Sequence, residues 1–330
     1  MNSFKALVVD KSGDEEVSVN VKELQQDDLP AGDVLIKVHY SSVNFKDGLA
    51  ATKNGNIVSS YPMVPGIDLA GVVESSDSSS FSKGDKVIVT SYDLGVDHFG
   101  GYSEYARVPS EWVVPLPQGL SLKEAMIFGT AGFTAGLSVI RLQEEGVTPE
   151  DGPVLVSGAT GGVGSMAVAM LAKLGYEVVA STGKESEHNY LKELGASEIV
   201  SREELNPEKI RPLDKQRWAG AVDPVGGETL SYILSTVKYG GAVAVSGLTG
   251  GTKVPTSVFP FILRGVNLVG IDSVHCPMER RQNVWERLAG DLKVEDLLET
   301  IEETITLEEL PDTLSEILQA KVRGRKVVEL

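Results

Sequence analysis

Apolar and polar positions alternate through the N-terminal third of the chain and then give way to short continuous apolar runs. Phe4–Asp10 and Asp33–Tyr40 read as strands, the second through Val34, Ile36 and Val38 at every other position. Val72–Glu74 and Lys86–Thr90 follow, with Gly, Pro and Asp between them, so a β-rich, barrel-like domain is expected there. Ser75–Ser80 is a polar loop. Leu120–Gln143 has the pattern of a helix leading out of that domain. Thr306–Leu330 returns to a helix and a last strand, Lys326–Leu330, which should rejoin the first domain.

Between these ends the pattern changes. Val154–Val156, Glu177–Ala180, Glu198–Val200, Gly220–Asp223, Ala242–Val245 and Asn267–Ile271 are strand-like runs separated by helix-length segments. That alternation predicts a parallel sheet covered on both faces, and six strands suit a doubly wound dinucleotide-binding domain. The first run leads into Ser157-Gly158-Ala159-Thr160-Gly161-Gly162-Val163-Gly164 and then into a small, apolar helix, Ser165–Ala172. Glycines admit a pyrophosphate close to the backbone, and the helix start offers unpaired N–H groups. The spacing is G-x-x-G-x-x-G rather than G-x-G-x-x-G, so the strand and helix around it carry the reading.

The second strand bears on which dinucleotide binds. An NAD site places an acid about 20 residues past the glycines, where it takes the ribose 2′-hydroxyl. Here the strand ends Ala180-Ser181-Thr182-Gly183-Lys184, with no acid before Glu185. Hydroxyls and a lysine would hold a 2′-phosphate, and Arg202 could add a second cation and stack on the adenine. NADP(H) is therefore expected over NAD(H), the alternative being that Lys184 and Arg202 are ordinary surface charges.

Composition adds boundaries. The chain has 330 residues, 42% hydrophobic and 23% charged, enough for two domains with their own cores. A net charge of −17 disfavours nucleic acid or an anionic membrane as partner. Cys276 is the single cysteine, so no intrachain disulfide forms. Met1–Lys5 carries no signal-peptide pattern and no apolar run looks long enough to span a bilayer, so a cytoplasmic location is expected.

Several segments carry a family resemblance. They are Ser42–Asp47, Pro62–Asp68, Gly129–Ala135, Pro260–Arg264, Gly270–Val274 and Arg323–Arg325, together with Gly161–Gly164. With these the chain resembles, nearly end to end, the quinone oxidoreductase/acryloyl-CoA reductase family of the medium-chain dehydrogenase/reductase superfamily. The resemblance implies a GroES-like substrate domain over 1–127 and 295–330 and a Rossmann domain over 128–294. It also implies a homodimer formed through Val266–Ile271.

Zinc members of the superfamily carry Gly-His-Glu where this chain reads Gly66-Ile67-Asp68, and they have an early cysteine. His39, His98, His188 and His275 show no ligand-like spacing, so no zinc is expected. Without a metal Lewis acid, a substrate with its own electron sink is favoured: an α,β-unsaturated carbonyl or enoyl-CoA thioester such as acryloyl-CoA, or a quinone. Such a small electrophile would take hydride from NADPH. A sensor that binds NADPH without turnover is the non-enzymatic reading.

By resemblance, Asn44, Phe45 and Thr130 lie near the nicotinamide, and Thr160, Gly161, Gly162 and Val163 against the pyrophosphate. Thr182, Gly183, Lys184 and Arg202 hold the 2′-phosphate. Leu248, Ile262 and Ser273 line the nicotinamide ribose and ring, and Gln319 reaches the cofactor from the C-terminal segment. Phe45 stands where the family often has Tyr, which removes a hydroxyl. Asn44, Lys46, Asp47, Asp68 and Tyr92 are candidates for catalysis or proton donation, with Asp47 alternatively a helix cap, Asp68 alternatively a buried structural acid, and solvent another proton source. Lys53, Arg280 and Arg281 are expected to supply a basic rim for CoA phosphates.

Overall fold

The structure is a computed structural model that describes residues 3–11 and 17–330. It opens with β1 (Phe4–Asp10), β2 (Ser18–Leu24), β3 (Val34–Ser42), α1 (Phe45–Ala50), β4 (Asp68–Ser76), β5 (Lys86–Thr90), β6 (Tyr105–Val108) and β7 (Val114–Pro115). The chain continues through α2 (Leu122–Glu144), β8 (Val154–Val156), α3 (Gly162–Lys173), β9 (Val178–Thr182), α4 (His188–Glu193), β10 (Glu198–Ser201) and β11 (Trp218–Asp223). Next come α5 (Gly227–Thr236), β12 (Val237–Val245), α6 (Phe259–Arg264), β13 (Asn267–Gly270) and α7 (Met278–Ala289). α8 (Leu298–Ile301), β14 (Glu302–Thr306), α9 (Leu310–Leu318) and β15 (Arg325–Glu329) close it.

Two compact units result: Met1–Thr130 with Val274–Ala289 and Leu298–Leu330, and Ala131–Ser273 with Gly290–Leu297. The division falls at Thr130/Ala131 rather than 127/128, and Val274–Ala289 groups with the first unit although the sequence placed it in the second. The reason is α7, whose Arg281, Val284, Trp285 and Leu288 are buried at helical spacing. Arg281 is wholly buried, donating to the carbonyl and hydroxyl of Thr90 and to the Val274 carbonyl while stacking over Tyr92. It therefore cannot serve as an exposed rim for CoA.

In the first unit a seven-stranded sheet runs β14-β15-β3-β4-β5-β7, with β6 also on β3, beside the β1–β2 hairpin. The alternation in β3 has the expected consequence: Val34, Ile36 and Val38 enter one core with Leu69, Val73, Val87 and Val89, while Leu35 enters another with Phe4, Leu7 and Val328. The pairing gathers four strand termini at one end of this sheet. Asp68 at the start of β4 faces Thr90 at the end of β5, and β15 runs antiparallel to β3 with Val327 opposite Ser42.

The second unit holds a parallel six-stranded sheet in the order β10-β9-β8-β11-β12-β13. The chain runs outward from β8 through β9 to β10, returns to the other side of β8 and runs on from β11 to β13, so the switch point lies between β8 and β11. All six expected strands are present. Leu155, Val179, Trp218, Ala221, Ile233, Leu234 and Val243 form its buried core with α5.

α2 corrects one expectation. Its 23 residues are long and apolar enough to cross a bilayer by length and composition, but that segment is 89% buried within the protein. It is also interrupted at Gly129, where φ is 50° and ψ −158°.

Candidate active site

In the second unit the glycine turn occupies the point where the sheet reverses, at the carboxyl end of β8, where ligands of open α/β sheets bind. Gly164 is required there: a Cβ would lie 2.4 Å from the Gly158 carbonyl oxygen, so only glycine lets α3 pack against the turn. Gly161 caps α3, whose first turn carries no acid and presents the N–H groups of Gly162, Val163 and Gly164. The turn is anchored from below by Asp223, which accepts from Ser157 Oγ and from the N–H groups of Val225 and Gly226. Burial pushes the Asp223 carboxyl above its ordinary range, against the pull of these donors.

At the end of β9 the hydroxyl of Thr182 accepts the Lys184 N–H at 3.1 Å, and the Thr182 carbonyl accepts the Arg202 N–H at 3.2 Å. The Arg202 guanidinium then lies over Gly183, so that a Cβ on Gly183 would sit 3.2 Å from its Cζ, Nε and Nη2. Thr182, Gly183, the Lys184 backbone and Arg202 thus lie together at the end of β9. Beyond the ends of β12 and β13, a cavity of about 480 Å³ is lined by Val245–Leu248 and Gly270–Asp272. Ser246 Oγ is buried beside it without a hydrogen-bond partner among the described residues. A glycine cradle, a guanidinium over Gly183 and an orphaned hydroxyl fit a nicotinamide dinucleotide. Ile262, by contrast, lies outside this cavity's lining and is 68% exposed on α6.

The first unit builds a second cluster at the end of its sheet. Asp68, fully buried, accepts from Ser42 Oγ (2.6 Å), Asn44 Nδ2 (2.7 Å), the Thr130 N–H (2.8 Å) and Thr130 Oγ1. Arg325 at the start of β15 stands 3.8 Å from Asp68 and donates to Ser42 Oγ, to Asn44 Oδ1 and to the carbonyls of Val43 and Ile127. Burial lowers the Arg325 pKa, and the charges of Asp68, Tyr102 and Asp47 oppose that. Gly129 is the hinge that admits Thr130: a Cβ there would lie 2.5–2.7 Å from Ser42 Oγ, Asp68 Oδ2 and Arg325 Nη2.

Asp47 caps α1, taking the N–H groups of Asn44 (2.9 Å) and Ile67 (3.0 Å). Burial, reinforced by the Asp68 charge, pushes its carboxyl up to about 7. Burial likewise raises the Tyr102 hydroxyl, which donates to the Ser42 carbonyl. Ser91 and Tyr92 are both left-handed, at φ 65° and 50°. Ser91 Oγ meets Thr130 Oγ1 at 3.2 Å, while the Tyr92 ring is packed between Trp112 and Arg281.

The remaining candidates sit apart from this cluster. Phe45 opens α1 and is 41% exposed, and Lys46 is half-buried beside it. Gln319, exposed at the end of α9, donates to Ser315. Ser42, Ser91, Tyr102, Arg325 and Ser246 were not singled out as site residues, although Ser42 and Arg325 fall inside segments that carried the family resemblance.

Comparison with known proteins matches residues 30–118 to the alcohol dehydrogenase GroES-like domain and 162–290 to the zinc-binding dehydrogenase family. The acrylyl-CoA reductase AcuI of Ruegeria pomeroyi is 51% identical over 330 residues, 99% of each chain. The chain belongs to the medium-chain dehydrogenase/reductase superfamily. Within that superfamily it is an oxidoreductase of the acrylyl-CoA reductase and quinone oxidoreductase kind. YhfP of Bacillus subtilis, provisionally named a quinone oxidoreductase, is 58% identical over 327 residues, 99% of each chain. Its structure with NAD bound superposes with a TM-score of 0.98 over the full length of both chains. The Salmonella enterica YhdH oxidoreductase, solved with NADP, is 48% identical over 99% of each chain with a TM-score of 0.96. The superfamily thus binds nicotinamide dinucleotides in close relatives of this chain. Zinc, which other members use, does not fit the donors present: Asp68 is committed to four hydrogen bonds and Arg325. Among the described residues no three His, Cys, Asp or Glu side chains gather as a ligand set.

Proposed function

We propose that the protein is an NADPH-dependent reductase of activated carbon–carbon double bonds, acting on short α,β-unsaturated acyl-CoA thioesters such as acryloyl-CoA. The observation that carries it is the likeness to an acrylyl-CoA reductase along 99% of both chains. The Arg202 guanidinium over Gly183 supports the choice of NADPH. When bound, NADPH supplies a hydride from the nicotinamide.

This chain's residues bind and orient. The N–H groups of Gly162 and Val163, with Thr160 and the glycine turn at Gly161, take the pyrophosphate, and Arg202 with Lys184 takes the 2′-phosphate over Thr182 and Gly183. Ser246, Leu248 and Ser273 serve the nicotinamide half, and Asn44, Phe45 and Thr130 are the first unit's residues assigned to the reaction. Hydride adds to the substrate's β-carbon, the double-bond pair moves toward the carbonyl oxygen, and the resulting enolate takes a proton at the α-carbon. Asp47 and Asp68 are wholly buried and committed to hydrogen bonds, so solvent delivers that proton. Lys46, half-buried, is the remaining side-chain candidate.

A homodimer in the cytoplasm completes the reading. Strand β13 ends the parallel sheet with an edge unpaired among the described residues, and Phe259, Ile262, Leu263 and Leu268 are 41–68% exposed. Ile262 then acts at this surface or across it. A quinone substrate is the second reading, favoured by the provisional name of YhfP. Incubation with NADPH and acryloyl-CoA followed by mass spectrometry tests the first: propionyl-CoA is expected, and unchanged thioester refutes it.

A further inference from the structure

The cluster around Asp68 fixes the direction of every hydrogen bond in it. A carboxylate only accepts and a guanidinium only donates. Ser42 must therefore give its proton to Asp68 and take one from Arg325, consistent with its 2.6 and 2.8 Å contacts. Thr130 likewise gives its hydroxyl proton to Asp68, so Ser91 must donate to Thr130. Asn44 is held at both ends of its amide: Nδ2 on Asp68 at 2.7 Å and Oδ1 under Arg325 at 3.3 Å. A flipped amide would put N–H against guanidinium and oxygen against carboxylate. One Nδ2 hydrogen remains without a partner among the described residues. Asn44 is 8% exposed, at the start of α1 beside the half-exposed Phe45.

We propose that Asp68 and Arg325 are positioning residues that lock Asn44 as a hydrogen-bond donor to the carbonyl oxygen of the unsaturated substrate. The inference rests on the reductase reading above. As hydride reaches the β-carbon, the π pair moves onto that oxygen, and an N–H on an amide already held at both ends stabilises the growing negative charge without reorganising. Proton delivery to the α-carbon is a separate event that Asn44 does not perform. Asp68 acts only through Asn44 and the Ser42–Thr130 frame. Ser91 and Thr130, whose protons are already assigned, can only accept from a ligand.

The test compares wild type, Asn44→Ala, Asp68→Asn and the double variant by steady-state kinetics with NADPH and acryloyl-CoA. NADPH binding is titrated in parallel by protein fluorescence. N44A is expected to lower kcat by about 100-fold or more, as loss of one oxyanion donor does elsewhere, with the NADPH Kd within about threefold of wild type. Deuterium at the transferred position of NADPH should give a larger isotope effect on kcat in N44A than in wild type, because hydride transfer becomes limiting. D68N should lower kcat by about tenfold or more, and adding it to N44A should cost much less than it does in wild type.

Wild-type turnover with near-normal kcat in N44A would overturn the inference and leave the reductase reading standing. Fully multiplicative losses in the double variant would overturn the positioning role of Asp68. Wild type inert toward acryloyl-CoA would remove both. N44A alone decides the donor role if D68N does not fold.

Discussion

Replacing Arg202 by alanine should separate the two nicotinamide dinucleotides. The guanidinium lies over Gly183, at the end of the strand that carries Thr182, and its backbone is tied to the Thr182 carbonyl. A 2′-phosphate held there makes a charge-assisted pair with Arg202, and such hydrogen bonds contribute about 2 kcal/mol each. NADH has no phosphate at that position and keeps only the stacking of the adenine. About 2 kcal/mol is roughly 30-fold in kcat/KM. R202A should therefore lose roughly 30-fold with NADPH and under fivefold with NADH, from that difference in contacts. The assay is the absorbance decrease of each cofactor at a fixed concentration of electrophile, repeated at two ionic strengths. The NADPH loss should shrink at high salt because the site is exposed. Equal losses for both cofactors, or none for either, would show that Arg202 does not hold the 2′-phosphate. The YhfP complex with NAD makes this a real discrimination.

Other expectations follow from the same geometry. Gly129→Ala should destabilise the protein by about 3 kcal/mol, combining a positive φ with a Cβ forced among Ser42, Asp68 and Arg325; a denaturation midpoint like that of wild type would refute the hinge role. The Asp47 carboxyl sits at about 7 when folded against 3.8 ordinarily, so the native state holds an extra proton between those values. Its contribution is then most favourable at low pH and is lost as pH rises toward 7, at up to about 1.4 kcal/mol per pH unit. Asp47→Asn should flatten the stability difference between pH 5 and pH 7.5 in urea titrations, and an unchanged slope would locate the proton elsewhere. Phe259→Asp with Leu268→Asp should convert a dimer to monomer by sedimentation velocity, and a dimer that survives both would move the interface off the β13 edge.

Much of the fold could be read before any coordinates. Continuous apolar runs such as Val154–Val156 and Ala242–Val245, separated by helix-length segments, read as buried parallel strands. The nucleotide cradle was visible for the same local reason, since glycines, strand and helix are contiguous. The Asp68 cluster was visible only in pieces. Asp68 and Arg325 are far apart in the chain and meet because β15 returns to β3, a pairing no periodicity encodes. Arg281 misled in the opposite sense: an arginine next to Arg280 reads as surface charge, yet its helix turns it inward to Thr90. Tyr92, a candidate acid from its loop, is instead part of a stack with Trp112 and Arg281.

Measuring kcat/KM for acryloyl-CoA and for 1,4-benzoquinone side by side, with saturating NADPH, decides between the thioester and the quinone as substrate. Saturable turnover of the thioester with a kcat/KM well above that for the quinone is the predicted result. Fast quinone reduction with an inert thioester would contradict it.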